Sequence, residues 1–307
     1  MKCYYGQIRD EKMLKKTASG GFAYAMYTKV LDKGGVCYGA SYTDDFKGAS
    51  YIRVTDRDKL NKLITSKYVK AALDESIVSS LTEDIKCGKK VIFIGLPCDV
   101  YYIIKKINNL KLPTDNLITC DLKCNGPTLP CGFKSYVEHL EEKYNQKVKN
   151  IITPYKNPSW YPVCIKVVFE DNSEYIEELA KTDLGVAFDF LKDEKCYYCK
   201  YKGDNHKSDM TISNYWGIKI KDPGFNYYGT SYAYVYTKKG EDFLKSIPYL
   251  NLFDDVSEET NLPLYSTDSY RVKQMNKFKK DFEKHGLLKA VKRRNSFLLR
   301  LARILKI

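Results

Sequence analysis

A chain of 307 residues, 44% hydrophobic and 29% charged, can bury a sizeable core, and its length fits two domains or one with an appendage, not a disordered tail. No apolar run approaches about 18 residues and no hydrophobic stretch follows Met1, so neither a spanning helix nor a leader is expected and the protein is placed in the cytoplasm. The net charge of +13 sits in the tail, where Arg271 to Ile307 holds 13 Lys or Arg against two acids; the rest is near balance, so no nucleic-acid partner is expected.

In chain order, Ser19-Gly20-Gly21 opens a helix running to about Leu31, with Phe22, Ala25, Met26 and Val30 at helical spacing. Ser19 is the candidate cap, and two glycines at a helix start let an anion such as a phosphate approach free N–H groups. The plainer alternative is a capped helix with a glycine turn. Val36 to Ser41 and Ala49 to Val54 read as strands, Arg57 to Ile64 and Glu75 to Lys86 as helices. Between those helices, Thr65-Ser66-Lys67-Tyr68-Val69 sets Lys67 among small polar residues, either as an anion ligand or as a solvated lysine.

Lys90 to Gly126 is the organising stretch. Lys90 to Gly95 is an apolar, β-branched run suited to a strand buried on both faces. Pro97 ends it and leaves Cys98 at the start of a helix from Asp99 to Asn109. Leu117 to Leu122 is the next strand and exits into Cys124-Asn125-Gly126. A strand, helix, strand unit of this length makes a parallel pair with a right-handed crossover, which brings both strand exits, and hence Cys98 and Cys124, to one sheet edge. Open α/β sheets bind ligands at that edge.

Pro130 to Tyr144 is an amphipathic helix, Val163 to Glu170 and Glu174 to Glu178 form a hairpin, and Leu184 to Lys192 is a short helix. Then comes Cys196-Tyr197-Tyr198-Cys199, whose spacing places two sulfurs on one turn. Ten cysteines in a reducing compartment point to metal or redox chemistry wherever they cluster. Cys98, Cys124, Cys196 and Cys199 give the four thiols required by a zinc ion or by a cubane iron–sulfur cluster. Cys131 is the rival to Cys124; Cys37, Cys120 and Cys164 read as small buried hydrophobes, and Cys3 and Cys87 are isolated. Ser208 to Gly217 and Tyr232 to Tyr236 read as strands, and Lys239 to Ile247 as a helix.

Seven segments in order resemble the coenzyme F-420 hydrogenase/dehydrogenase beta subunit family: Ala18 to Gly21, Thr65 to Val69, Gly95 to Asp99, Asp121 to Gly126, Cys196 to Lys202, Ser208 to Gly217 and Gly229 to Ser231. The resemblance spans roughly residues 5 to 275. It implies an α/β fold: a mixed sheet with a parallel βαβ core, a small N-terminal α/β domain (1–86, flavin phosphate site), a C-terminal domain with the cysteine cluster (87–267) and a helical basic tail (268–307). It further implies an iron–sulfur flavoprotein oxidoreductase that passes electrons between a four-iron four-sulfur cluster, FAD and a hydride-carrying partner such as reduced coenzyme F-420. By position, Cys98, Cys124, Cys196 and Cys199 hold the cluster, and Ser19, Gly20, Gly21, Ser66 and Lys67 face the FAD. Asp99, Asn125 and Asn214 depart from the family pattern. Many bacterial relatives begin with a two-cluster ferredoxin segment where this chain has only Cys3, so a separate electron carrier such as a ferredoxin is implied. Bacterial members also accompany polysaccharide biosynthesis, an association only. The alternative is a non-catalytic protein with a structural zinc site and a degenerate flavin site.

The tail stands apart from the resemblance. A helix from Leu287 to Ile307 aligns Leu287, Val291, Leu298, Leu301 and Leu305 opposite Lys289, Lys292, Arg293, Arg300 and Arg303. Such a stripe either packs on its own domain or a partner subunit, or lies peripherally on the anionic inner face of a membrane.

Overall fold

The computed structural model describes every residue except 202–204, 256–267 and 296–307. The strands are β1 (Lys2–Ile8), β2 (Val36–Tyr42), β3 (Ala49–Val54), β4 (Val91–Gly95), β5 (Leu117–Leu122), β6 (Val148–Tyr155), β7 (Cys164–Phe169), β8 (Glu174–Glu178), β9 (Met210–Asn214), β10 (Ser231–Val235) and β11 (Leu250–Asp255). The helices are α1 (Glu11–Leu14), α2 (Phe22–Leu31), α3 (Glu75–Lys86), α4 (Pro97–Asn109), α5 (Pro130–Tyr144), α6 (Asp183–Phe190), α7 (Lys238–Lys245) and α8 (Ser269–His285), followed by α9 over residues 287–295.

Eight strands form one mixed sheet in the order β11-β1-β10-β9-β5-β4-β2-β3; β6, β7 and β8 form a second, antiparallel sheet. Pairing is parallel from β2 through β4 and β5 to β9, and antiparallel at both flanks. The expected βαβ unit is therefore present, with Val91 opposite Leu117 and Gly95 opposite Asp121. The large sheet draws strands from both sides of residue 86, since β2 hydrogen-bonds to β4.

Side chains alternate across a strand, so a central strand needs apolar residues at every position. In β4, Val91 and Phe93 enter one core with Val100, Ile103 and Leu117, while Ile92 and Ile94 enter the other with Phe22, Cys37, Cys120 and Met210. Each such buried side chain contributes about 1.5–3 kcal/mol, which fixes the strand's register and with it the position of Cys98 beyond its end. The small sheet joins the first core through Ile151, Ile165, Val167 and Phe169.

Several elements depart from the sequence expectations. Arg57 to Ile64 is not a helix; only Leu60–Lys62 forms a single 3-10 turn. The strand expected over Ser208 to Gly217 is confined to β9. β1, β6 and β11 had no forecast, whereas α8 falls inside the helical tail expected over 268–307. Leu287, Ala290 and Val291 of α9 are buried with Met275 and Phe278 of α8, so the described part of the tail's apolar stripe packs on its own domain. Leu298, Leu301, Leu305, Arg300 and Arg303 lie outside the described residues. Among the described residues no helix is long and apolar enough to cross a membrane.

Candidate functional site

The sequence motifs gather at the exits of β4, β5 and β9. Pro97 occupies the first turn of α4, where its missing N–H costs nothing, and Cys98 follows it. Asp99 accepts from the Lys70 ammonium at 2.5 and 2.6 Å and from the Tyr51 hydroxyl at 2.9 Å, and that hydroxyl in turn accepts from the Leu96 N–H. Asp99 thus fixes Lys70, whose Nζ lies 3.9 Å from Cys98 Sγ. Cys124 sits in the turn after β5, where its sulfur accepts from the Gly126 N–H at 3.3 Å. Gly126 has φ +92°, and a Cβ there would lie 2.9 Å from Cys196 Cβ, so only glycine lets this turn close on the CxxC segment. Lys192 reaches across to the Asn125 carbonyl at 2.9 Å. Cys196 ends a 3-10 turn capped by Asp193, and Tyr198, between the two cysteines, is 77% exposed.

Cys98 and Cys124 both feel the sulfurs of the CxxC turn. Burial pushes the Cys98 thiol up to about 11, with Asp99 adding to the shift, Lys70 opposing it, and Cys199 and Cys196 adding smaller increments. Burial likewise pushes Cys124 up to about 12, opposed by the Gly126 N–H and reinforced by Cys196, Cys98 and Cys199. Among the described residues no three His, Cys, Asp or Glu side chains are grouped closely enough to hold a single metal ion. Cys131 is exposed at the start of α5, Cys37 and Cys120 are buried in the core, Cys87 is exposed, and Cys3 and Cys164 are half-buried.

A buried polar network ties the two cysteine-bearing segments together. Asp121, at the end of β5, accepts from Ser208 at 3.0 Å and from Thr211, and meets His206 Nδ1 at 2.9 Å. Tyr236 donates to the Thr211 hydroxyl at 3.0 Å and stacks on His206. Next door, Asp209 accepts from the Thr119 N–H and hydroxyl. The Asp121 and Ser208-Asp209 motifs are therefore partners of each other, setting β9 beside β5 and holding both ends of the stretch that carries Cys199.

The second cluster surrounds the start of α2. Ser19 does not cap this helix: its hydroxyl donates to the Thr230 carbonyl at 2.8 Å, and Gly21 takes the N-cap position with φ +80°. Nor are the glycine N–H groups open donors, because Gly20 gives its proton to Ser231 Oγ and Gly21 to the Ala18 carbonyl. What Gly20 provides is close approach: a Cβ there would lie 2.3 Å from the Gly6 carbonyl oxygen and 2.4 Å from the Ser231 nitrogen. Around this loop stand two lysines. Lys156, 5% exposed, donates to the Leu14 carbonyl at 2.7 Å and the Ser19 carbonyl at 2.5 Å, and burial pulls it down to about 7. Lys67, half-buried, donates to the Lys62 and Thr65 carbonyls, and burial pulls it down to about 7 as well. Neither meets a carboxylate within ion-pair distance among the described residues. The backbone links their segments to the α2 loop, Ala18 N–H bonding the Ile64 carbonyl and Ser66 N–H the Thr153 carbonyl. Trp160 lies against Gly229 and Trp216, with ring centroids 4.5 Å apart for the two tryptophans.

Lys156 and Trp160 escaped the sequence reading. They lie in a proline-punctuated segment without periodicity, and only the fold brings them to α2. Asn214, at the end of β9, pairs in register with Ser231.

Residues 88–252 match the family described as the C terminus of the coenzyme F420 hydrogenase/dehydrogenase beta subunit. The chain belongs to this family. Outside the match, the family likeness continues in a curated relative, the F420-dependent formate dehydrogenase 1 subunit beta of Methanococcus maripaludis, 25% identical over 245 residues. That alignment covers 79% of this chain and 58% of the relative, so the chain spans little more than half of the relative's length. A chain from the solved F420-reducing NiFe hydrogenase complex of Methanosarcina barkeri superposes with a TM-score of 0.57, at 18% identity over 92% of each chain. The family's mixed α/β fold is thus common to both, and its named members are subunits of redox enzymes.

Proposed function

We propose that this chain is an electron-transfer subunit of an oxidoreductase, holding a four-iron four-sulfur cluster on Cys98, Cys124, Cys196 and Cys199 and FAD beside the start of α2. The observation that carries this reading is the pair of thiol-bearing turns closed on each other through Gly126, with Cys196 and Cys199 close enough to both Cys98 and Cys124 to add to the rise in their pKa. The donor set suits the cluster, whose four cubane irons each take one cysteine thiolate, as it would also suit a closed four-thiolate zinc site. What favours the cluster over the zinc alternative is the chain's kinship with subunits of redox enzymes.

The flavin's diphosphate is matched by Lys67 and Lys156. A buried ammonium without a carboxylate is expensive, and an anion arriving between the two lysines would restore their charge. Ser19, Gly20 and Ser66 shape the backbone on which these lysines rest, and Trp160 walls the loop. The bound cofactors would supply one-electron transfer at the cluster and hydride transfer at the flavin. This chain's residues do the rest. Lys70 holds positive charge beside the Cys98 sulfur, Asp99 and Tyr51 keep that lysine in place, and the Asp121 network locks the two cysteine segments in register. The reacting partner at the flavin would be a hydride carrier of the F420 kind, by analogy with the named relatives. A service to polysaccharide assembly rests on the company that bacterial relatives keep and on no residue of this site.

Anaerobic reconstitution with iron, sulfide and FAD tests the proposal. The expected product is brown-yellow, with about four irons and one flavin per chain. A colourless chain binding one zinc and no flavin would overturn it.

A further inference from the structure

The described tail carries its charge on an exposed face. Helix α8 buries Met275 and Phe278, while Lys273, Lys277, Lys280 and Lys284 stand exposed on the opposite side at helical spacing. Lys289, Lys292 and Arg293 continue the exposed basic surface on α9. The helix pair lies beside the cysteine turn: Lys279 pairs with Glu194 at 3.8 Å, two residues before Cys196, and Arg271 with Asp189 at 4.0 Å. Phe190 packs on Phe278 and under the Arg294 guanidinium, 4.0 Å from its ring centre. The turn itself adds exposed Lys195 and Lys200 on either side of exposed Tyr198.

We propose that this basic surface, formed by α8, α9 and the Cys196–Cys199 turn, docks an acidic one-electron carrier protein. The inference rests on the redox reading of the cysteines, and it adds where electrons enter or leave and what recognises the carrier. Each encounter moves one electron between the carrier and the centre beneath the turn, one being oxidised as the other is reduced, with no bond made. Charge complementarity suits this traffic, because electron-transfer encounters are small, short-lived and steered by long-range fields. A membrane is disfavoured by burial: Leu287, Ala290 and Val291 are spent on the domain core, which leaves Leu288 as the exposed leucine of the described tail.

The test is the reconstituted full chain with lysines 273, 277, 280 and 284 all changed to glutamate, reduced by a bacterial two-cluster ferredoxin and, separately, by dithionite. At low salt the second-order rate from ferredoxin should fall at least about tenfold in the variant and converge with wild type near 0.5 M salt. Dithionite reduction and iron content should be unchanged, which shows an intact fold and centre. An equal ferredoxin rate in both chains, or a wild-type rate indifferent to salt, overturns the docking surface. So does loss of binding to anionic vesicles with the ferredoxin rate unchanged, since the stripe would then serve a membrane. A chain that never acquires iron overturns the redox reading itself; retention of apo wild type, and not the variant, on immobilised ferredoxin still reads the docking surface.

Discussion

Replacing Lys156 by methionine separates the charge of this side chain from its bulk. Burial holds the ammonium at about 7 against 10.5 in the open, a gap that amounts to at most about 5 kcal/mol. The unfolded chain binds this proton more tightly between those two pH values, so the burden on the folded state is full below pH 7 and is relieved as pH climbs toward 10.5. Methionine removes the burden but leaves the Leu14 and Ser19 carbonyls without a donor, at about 1–3 kcal/mol each. The two effects nearly cancel at pH 7. Between pH 7 and 8.5, however, wild type should gain about 2 kcal/mol on the variant, because only wild type sheds a proton in folding there. Urea unfolding at the two pH values measures the difference, in which the buried thiols, common to both chains, drop out. For FAD, loss of one charge-assisted contact of about 1.5–3 kcal/mol should weaken binding about 10- to 150-fold, read by quenching of flavin fluorescence. Parallel stability curves together with an unaltered flavin dissociation constant would refute the assignment of Lys156 to an anion site.

Single Cys→Ser changes at positions 98, 124, 196 and 199 should each abolish or cripple iron incorporation, whereas Cys131→Ser and Cys87→Ser should leave it intact; iron loss at Cys131 with none at Cys124 would move the ligand to α5. Gly20→Ala should lower stability by about 1–3 kcal/mol or more, since its methyl meets backbone atoms that cannot swing aside, and chemical denaturation decides it. Ending the chain after Gly286 removes Leu287, Ala290 and Val291 from the core and should cost several kcal/mol, about 1.5–3 for each of the two larger side chains; an unchanged melting temperature would contradict their burial.

The central unit was legible because a strand buried on both faces must be apolar throughout, and because cysteines at two strand exits leave little choice of geometry. The CxxC turn was legible from spacing alone. The helix start before Phe22 misled: a serine and two glycines read as a cap with open donors, yet Ser19 and Gly20 spend their protons on residues 230 and 231. That exchange is invisible locally, since its partners lie more than 200 residues away. β1 was missed for the same reason, its Lys-Cys-Tyr-Tyr-Gly run having no clear alternation until β10 and β11 flank it. α8 was foreseen only as part of a helical tail, without bounds of its own, because only Met275 and Phe278 of its residues are buried, too narrow a stripe to stand out against its charge.

The seating of β1 between β10 and β11 sets a clock on the protein's birth. The first strand emerges from the ribosome with neither neighbour in existence, and the loop at Ser19 waits for a carbonyl 211 residues later. At ordinary synthesis speeds that wait lasts roughly 10–40 s, during which the nascent segment has an unpaired edge and an unfinished α2 loop. On the proposed reading, flavin loading would follow translation of β10. Ribosome-bound chains stalled before residue 230 should ignore FAD that released chains take up.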